Sequence, residues 1–304
     1  MLLTSIWINS SGEANAASLP PPILENIHSL QKNHPHIPHK LFGTTELLSF
    51  LEEKFSREVL SAFLALKPYA YKADLARYCV LHEYGGVYAD LSYYFVRPLP
   101  MDSRRVVVFR DFMWSSPWDV SNGVFFAPPK HKALEIAIQM VCANVRRGYY
   151  GNTPLCPTGP ALFGKALATV CEPQDIVTGV AGLVSKEMVA GAARNIELPP
   201  DEKSHCLILR NELLALKRKR MGSPGLSDFG VADGSGYSDL WRQRAIYSSG
   251  VVASESFHGE AEAADGEEEA GMHASLPWSV AEWFETSPGA PPGFLRRLMK
   301  RLQR

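Results

Sequence analysis

Three polar residues are spaced so that they can act together: Asp74, Arg77 and Asp90. Asp74 and Arg77 are three apart in a stretch, 70–84, where Ala73, Ala76, Val80 and Tyr84 recur at helical spacing, so both side chains fall on one helix face. The helical pattern stops at Gly85-Gly86, since glycine enters the left-handed conformation without a Cβ penalty. Residues 87–92 (VYADLS) then alternate as a strand, with Val87, Ala89 and Leu91 on one face and Tyr88, Asp90 and Ser92 on the other. A two-glycine turn folds this strand back beside the helix, so Asp90 is expected close to Asp74 and Arg77, with Tyr88 on the same sheet face. The carboxylates can accept hydroxyl groups or hold a cation. The guanidinium can bind phosphate or hydroxyl oxygens, or orient a carboxylate.

The elements around this segment predict a layered α/β fold. Residues 2–8 (LLTSIWI) read as a buried strand, 22–33 as a helix, 39–42 as a short strand, and 44–54 as a helix capped by Thr44 or Thr45. Strands follow within 104–110 and over 122–127 (NGVFFA), and a helix over 132–145. Thr158-Gly159-Pro160 opens another helix running to about Val170, with Thr158 as a cap and Pro160 in the first turn. Residues 211–220 read as a helix ending in the basic run KRKR, a solvated helix end rather than a nucleic-acid patch. A domain over 1–252 is expected, then an acidic segment over 253–272, then a tail over 273–304. The tail's basic, leucine-lined end leaves two placements open: packed on the domain, or lying on an anionic membrane surface.

Composition limits the function classes. The 304 residues are 46% hydrophobic and 21% charged, with a net charge of −1, so no global field favours nucleic acid. Five scattered cysteines without a C-x-x-C pair argue for reduced thiols and a cytoplasmic setting. The first residues lack the basic region of a signal peptide, and no run of about 18 apolar residues suggests a membrane span.

The run KADLARYCVLHEYGGVYADLSYYFVRPL resembles the signature of the DXD-containing glycosyltransferases of family 32. That family includes the yeast initiating α-1,6-mannosyltransferase, the inositol-phosphorylceramide mannosyltransferases and the large clostridial glucosylating toxins. Asp74, Arg77, Tyr88 and Asp90 match its pattern. Ile6-Trp7-Ile8, the segment NGVFFAPPKHKAL from Asn122, and Thr158-Gly159-Pro160 match more weakly, and His273 before Trp278 resembles a C-terminal element. The resemblance implies a GT-A nucleotide-sugar-binding fold, with a central mixed sheet flanked by helices. It implies hexose transfer with retention from a UDP- or GDP-sugar to a glycan or lipid hydroxyl, aided by Mn2+ or Mg2+. Asp90, Asp74 and Arg77 become catalytic candidates. Ile6, Trp7, Tyr88, Ser92, Asn122, Thr158 and Gly159 join them as donor-binding candidates, and Asp90 and His273 are the metal-ligand candidates. One departure stands out: Ser92 occupies the position of the second DXD acid, and a neutral hydroxyl is a far weaker ligand for a hard cation. Three states remain open: an altered metal site, a basic group in place of the ion, or a silent nucleotide-sugar binder. A metal-dependent nucleotide-diphosphate hydrolase is less favoured, because no further His/Asp cluster shows ligand spacing.

Overall fold

The computed structural model describes residues 1–9, 19–111, 119–185, 189, 203–220, 225–231 and 236–248. Its contacts divide the chain into two units, Met1–Glu255 and Ser256–Arg304. The second unit lies outside the described residues, as do the acidic stretch, His273, Trp278 and the basic tail.

Among the described residues one nine-stranded mixed sheet runs in the order β2-β1-β3-β6-β5-β7-β8-β9-β4. Its strands are β1 (Leu2–Trp7), β2 (His39–Gly43), β3 (Gly86–Ala89), β4 (Tyr93–Phe95), β5 (Val106–Asp111), β6 (Val120–Ala127), β7 (Ile176–Ser185), β8 (Lys203–Leu209) and β9 (Glu212–Lys217). β1 pairs in parallel with β2 and β3, β5 does so with β7, and the remaining pairs are antiparallel. The described elements also include helices α1 (Pro21–Asn33), α2 (Thr44–Lys54), α3 (Arg57–Ala65), α4 (Tyr69–Tyr84), α5 (Lys132–Arg146), α6 (Pro160–Val170) and α7 (Tyr237–Arg242), with short 3-10 turns at Pro173–Asp175 and Ser227–Phe229. This is the expected α/β architecture, a central mixed sheet with flanking helices. No described helix is long and apolar enough to cross a membrane.

Two-residue periodicity sorts the strand side chains into two cores. Tyr88, Phe125, Val106 and Val108 join the helices, packing with Tyr78, Val80, Val141 and Phe163. Val87, Ala89, Val107, Phe109, Val124 and Phe126 face the other way. There they meet Tyr93 and Phe95 of β4, Leu207 of β8 and Ala215 of β9. β3 and β4 are separated only by residues 90–92, yet they stand third and ninth in the sheet order. The sheet therefore curls on itself, and β9 and β4 return beside the turn that follows β3.

The reversal from α4 into β3 requires both glycines. Gly85 has φ 61° and ends the helix, its N–H donating to the Leu81 carbonyl at 2.8 Å. Gly86 has φ 115°, and a Cβ there would lie 2.0 Å from the Leu2 carbonyl oxygen. Only a residue without a side chain lets β3 lie against β1 at this point.

Three expectations are corrected. Residues 211–220 do not form a helix: Glu212–Lys217 is β9, paired with β8 and β4. The two-residue connection Arg210-Asn211, with φ 51° and 64°, makes the hairpin turn. Tertiary pairing overrides the helix preference of ELLALK. Thr158 does not cap α6: Gly159 takes that position without a side-chain bond, and the Thr158 hydroxyl turns to Asp74. Neither threonine caps α2. Gly43 precedes it, and the Thr44 hydroxyl donates to the Asn9 carbonyl. All five cysteines are free.

Candidate functional site

Asp74, Arg77 and Asp90 meet as the spacing predicts. α4 is buried over most of its length, so Asp74 and Arg77 reach the end of β3 through the interior: Asp74 is 7% exposed and Arg77 5%. Arg77 engages all three of its guanidinium nitrogens. Nε donates to the Ala73 carbonyl at 3.1 Å and Nη1 to the Asn122 carbonyl at 2.6 Å. Nη1 lies 3.3 Å from Asp90 Oδ1, and Nη2 lies 3.2 Å from Asp74 Oδ1. Its Cζ sits over the Tyr88 ring, 4.4 Å from the centroid. Arg77 thus links the two carboxylates. Of the two roles the sequence allowed it, orienting carboxylates is the one its contacts perform.

Asp74 is fully solvated by protein. Oδ1 accepts from Asn122 Nδ2 at 2.8 Å and Oδ2 from the Thr158 hydroxyl at 2.7 Å. A Cβ on Gly159 would stand 3.4 Å from Oδ2, so the helix start lies against this oxygen. Burial pushes the Asp74 carboxyl above the usual carboxylate range, while Arg77, Thr158 and Asn122 pull against it. Burial also works against the Arg77 charge, but Tyr88, Asp90 and Asp74 outweigh it and keep the guanidinium protonated.

Asp90 is the part of the cluster that reaches solvent, with 30% of its side chain exposed against 11% for Asp74 and 6% for Arg77. Its Oδ1 accepts from the Tyr88 hydroxyl at 2.7 Å. Oδ2 lies toward Gly123, where a Cβ would approach it to 2.8 Å and the Tyr93 ring to 3.3 Å.

The structure therefore gathers Asp74, Arg77, Tyr88, Asp90, Asn122, Thr158 and Gly159. It places the other candidates elsewhere. Ile6 is a core side chain packed with Phe42 and Leu47. Trp7 packs at the edge of a separate cluster with Leu19, Ile23 and Leu91. Ser92 is buried, and its carbonyl accepts from the Arg218 N–H at 2.8 Å. Tyr78 was missed. Its hydroxyl donates to the Thr158 carbonyl at 2.9 Å and accepts from Asn122 Nδ2 at 2.9 Å, tying α4, β6 and α6 together. Its spacing from Asp74, four residues on the same helix, was the available signal. Tyr237 of α7 was also missed. It packs against Tyr71, 5.8 Å between ring centroids, and borders Asp74 electrostatically.

A mixed α/β sheet whose strand-end carboxylate is joined by an arginine to a helix aspartate suits the gripping of hydroxyl and phosphate groups. Residues 20–107 match the family model described as a glycosyltransferase sugar-binding region containing the DXD motif. That segment holds Asp74, Arg77, Tyr88, Asp90 and Ser92, whereas Asn122, Thr158 and Gly159 lie beyond it. Inositol phosphoceramide mannosyltransferase 1 of Schizosaccharomyces pombe is 29% identical over 157 residues, 48% of each chain. An uncharacterized glycosyltransferase of Acanthamoeba polyphaga mimivirus is 28% identical over 91 residues, 30% of this chain and 34% of that protein. The chain thus spans half or less of the length of these relatives. A solved structure, the PaToxG glycosyltransferase, aligns with 55% of this chain and 68% of its own at 16% identity, with a TM-score of 0.43.

The DXD family implies a divalent cation, and the side chains here do not suit one. Asp90 has one oxygen committed to Tyr88 and Arg77, and Ser92 offers no charge. Among the described residues no group of three His, Cys, Asp or Glu side chains is placed to hold an ion. His273, the other expected ligand, lies outside the described residues.

Proposed function

We propose that this chain is a glycosyltransferase that moves a hexose from a UDP- or GDP-sugar to an acceptor hydroxyl on a glycan or glycolipid. The observation that carries this reading is the cluster of Asp74, Arg77 and Asp90 inside a matched sugar-binding region, with Asp90 its solvent-reaching member. Asp90 accepts hydroxyl donors from the nucleotide-sugar. Arg77 holds Asp90 and Asp74 in fixed relation, so neither carboxylate reorganises when charge develops. Asn122 and Thr158 hold Asp74 directly, and the Tyr78 hydroxyl holds those two in turn.

In transfer, the bond from the anomeric carbon to the donor phosphate oxygen breaks. The acceptor oxygen bonds to that carbon, and its proton passes to the departing phosphate. Departure and attack on one face retain the anomeric configuration and need no protein nucleophile. Association with a membrane-bound acceptor at the cytoplasmic surface completes this reading, with the basic tail as the contact.

The test is hydrolysis and transfer across a panel of UDP- and GDP-sugars, comparing the wild type with Asp90→Asn at matched thermal stability. Turnover of one donor, lost in the variant, supports the assignment; unchanged turnover removes Asp90 from its role. Ser92 favours a second reading, a silent nucleotide-sugar binder. Donor binding without turnover in the wild type, together with a large gain of Mn2+-dependent turnover in Ser92→Asp, decides for that reading.

A further inference from the structure

Asp90 stands where a strand leaves its ladder. β1 and β3 pair only as far as Thr4 and Tyr88, whereas β1 stays with β2 to Trp7 and Gly43, and β3 stays with β6 to Ala89 and Val124. The carboxyl ends of β1 and β3 therefore part just before Asp90. Side chains tie this end where the ladder stops. The Asp90 N–H donates to the Gly123 carbonyl at 2.7 Å, and the Asp90 carbonyl accepts from the Tyr93 N–H at 3.1 Å. The carbonyls before and after it each accept from a buried side chain. Ser5 Oγ, from β1, donates to the Ala89 carbonyl at 2.9 Å, and Asn26 Nδ2, from α1, donates to the Leu91 carbonyl at 2.8 Å. Ser5 and Asn26 are both 2% exposed. Each is braced in turn. His39 Nε2 lies 3.3 Å from Ser5 Oγ, and since the serine proton goes to Ala89, the imidazole is the donor there. Arg218 Nη1 lies 3.4 Å from Asn26 Oδ1.

α1 makes two kinds of tie from one face. Ser29 and Asn33, three and seven residues after Asn26, hold β4: Ser29 Oγ accepts from the Phe95 N–H at 2.8 Å, and Asn33 Nδ2 donates to the Phe95 carbonyl at 3.1 Å. Asn26 alone of the three reaches the turn 90–92. The Asp90 carboxylate is itself gripped at Oδ1, by the Tyr88 hydroxyl and Arg77. Where its second oxygen faces is therefore set by where its backbone stands. We propose that Ser5 and Asn26 are positioning residues, which clamp the backbone on both sides of Asp90 so that its carboxylate meets the donor without reorganising. This rests on the transferase reading and specifies what holds its solvent-reaching acid.

The test compares three full-chain variants with the wild type. Asn26→Asp keeps the shape of the side chain and an oxygen toward Arg218, but sets an acceptor against the Leu91 carbonyl. Ser5→Ala removes the other tie. Asn33→Ala loses a bond to β4 and none to the turn, and is the control. The measurements are melting temperature, hydrogen–deuterium exchange of the peptide carrying Asp90 and Tyr93, and initial rates of hydrolysis of UDP-glucose, UDP-galactose and GDP-mannose. Asn26→Asp and Ser5→Ala should exchange faster in that peptide and lose between about tenfold and a hundredfold in kcat with KM little changed, as for a misplaced catalytic group. Asn33→Ala should melt lower while keeping the protection of the turn and the kcat of the wild type. Unchanged exchange in both variants overturns the clamp. Faster exchange with unchanged kcat, or an equal loss of kcat in Asn33→Ala, overturns the positioning role and leaves the transferase reading intact. No hydrolysis of any of these donors by the wild type overturns the transferase reading, and the exchange result alone then decides the clamp.

Discussion

Arg77→Met isolates the residue on which the site's geometry depends. The substitution removes the guanidinium from two carboxylates, at 3.2 Å and 3.3 Å, and from the Asn122 carbonyl at 2.6 Å, while roughly preserving apolar volume over Tyr88. Breaking a buried ion pair on one side typically costs about 3–5 kcal/mol, because the partner charge is left without compensation. Asp90, partly exposed, recovers some hydration. Asp74, already pushed up by burial, takes a proton instead of remaining charged. These two responses hold the expected loss within that range even though a buried carbonyl also loses its donor. At about 2–4 °C per kcal/mol for a domain of this size, melting should fall by roughly 6–20 °C. Urea unfolding of Arg77→Met, Asp74→Asn and the double variant measures the coupling. The double variant should be about 1–3 kcal/mol more stable than the sum of the single losses predicts. A loss below about 1 kcal/mol in Arg77→Met, or strict additivity, refutes a buried, interdependent cluster.

Two further predictions follow from other parts of the fold. Gly86→Ala should prevent folding or remove several times the stability lost in Gly230→Ala: the first Cβ meets the Leu2 backbone at 2.0 Å, the second meets nothing within 4 Å, and both sites have positive φ. Urea midpoints compare them, and near-equal losses would contradict the close approach of β3 to β1. Burial lowers the pKa of His39 to about 4 and of His205 to about 3, so both stay neutral in the fold while the unfolded chain takes up protons near pH 6.5. Their contribution to stability is present above pH 6.5 and is lost as the pH falls toward 4, with Asp74 acting in the opposite sense. His39→Gln should flatten the profile of unfolding free energy over that window, and an unchanged slope would refute the assignment.

What could be read from the sequence was local. Helix periodicity, two glycines and an alternating strand place Asp74, Arg77, Tyr88 and Asp90 within one contiguous stretch, and the fold keeps that arrangement. The partners that complete the site come from distant segments. Asn122 and Thr158 reach Asp74 from 48 and 84 residues away; residue patterning there shows only a strand start and a helix start, and the family resemblance alone marks them as donor-binding candidates. Tyr78 draws no reading of its own, since an aromatic on a helix usually does no more than fill the core. The segment 211–220 was misread for a different reason: Leu, Ala and Lys favour helix, and the pairing that makes it a strand depends on β8 and β4. That misreading also hid the approach of Lys217 and Arg218 to Ser92, since a solvated helix end has no reason to lie beside the turn.

The most direct test of the account is a crystal structure of the chain soaked with the nucleotide-sugar that the donor panel selects. The account predicts density for the hexose and diphosphate at the solvent-facing side of Asp90, with a ligand hydroxyl within hydrogen-bond distance of its carboxylate and Arg77 still bridging to Asp74. A donor bound elsewhere on the domain, with Asp90 untouched, would contradict it.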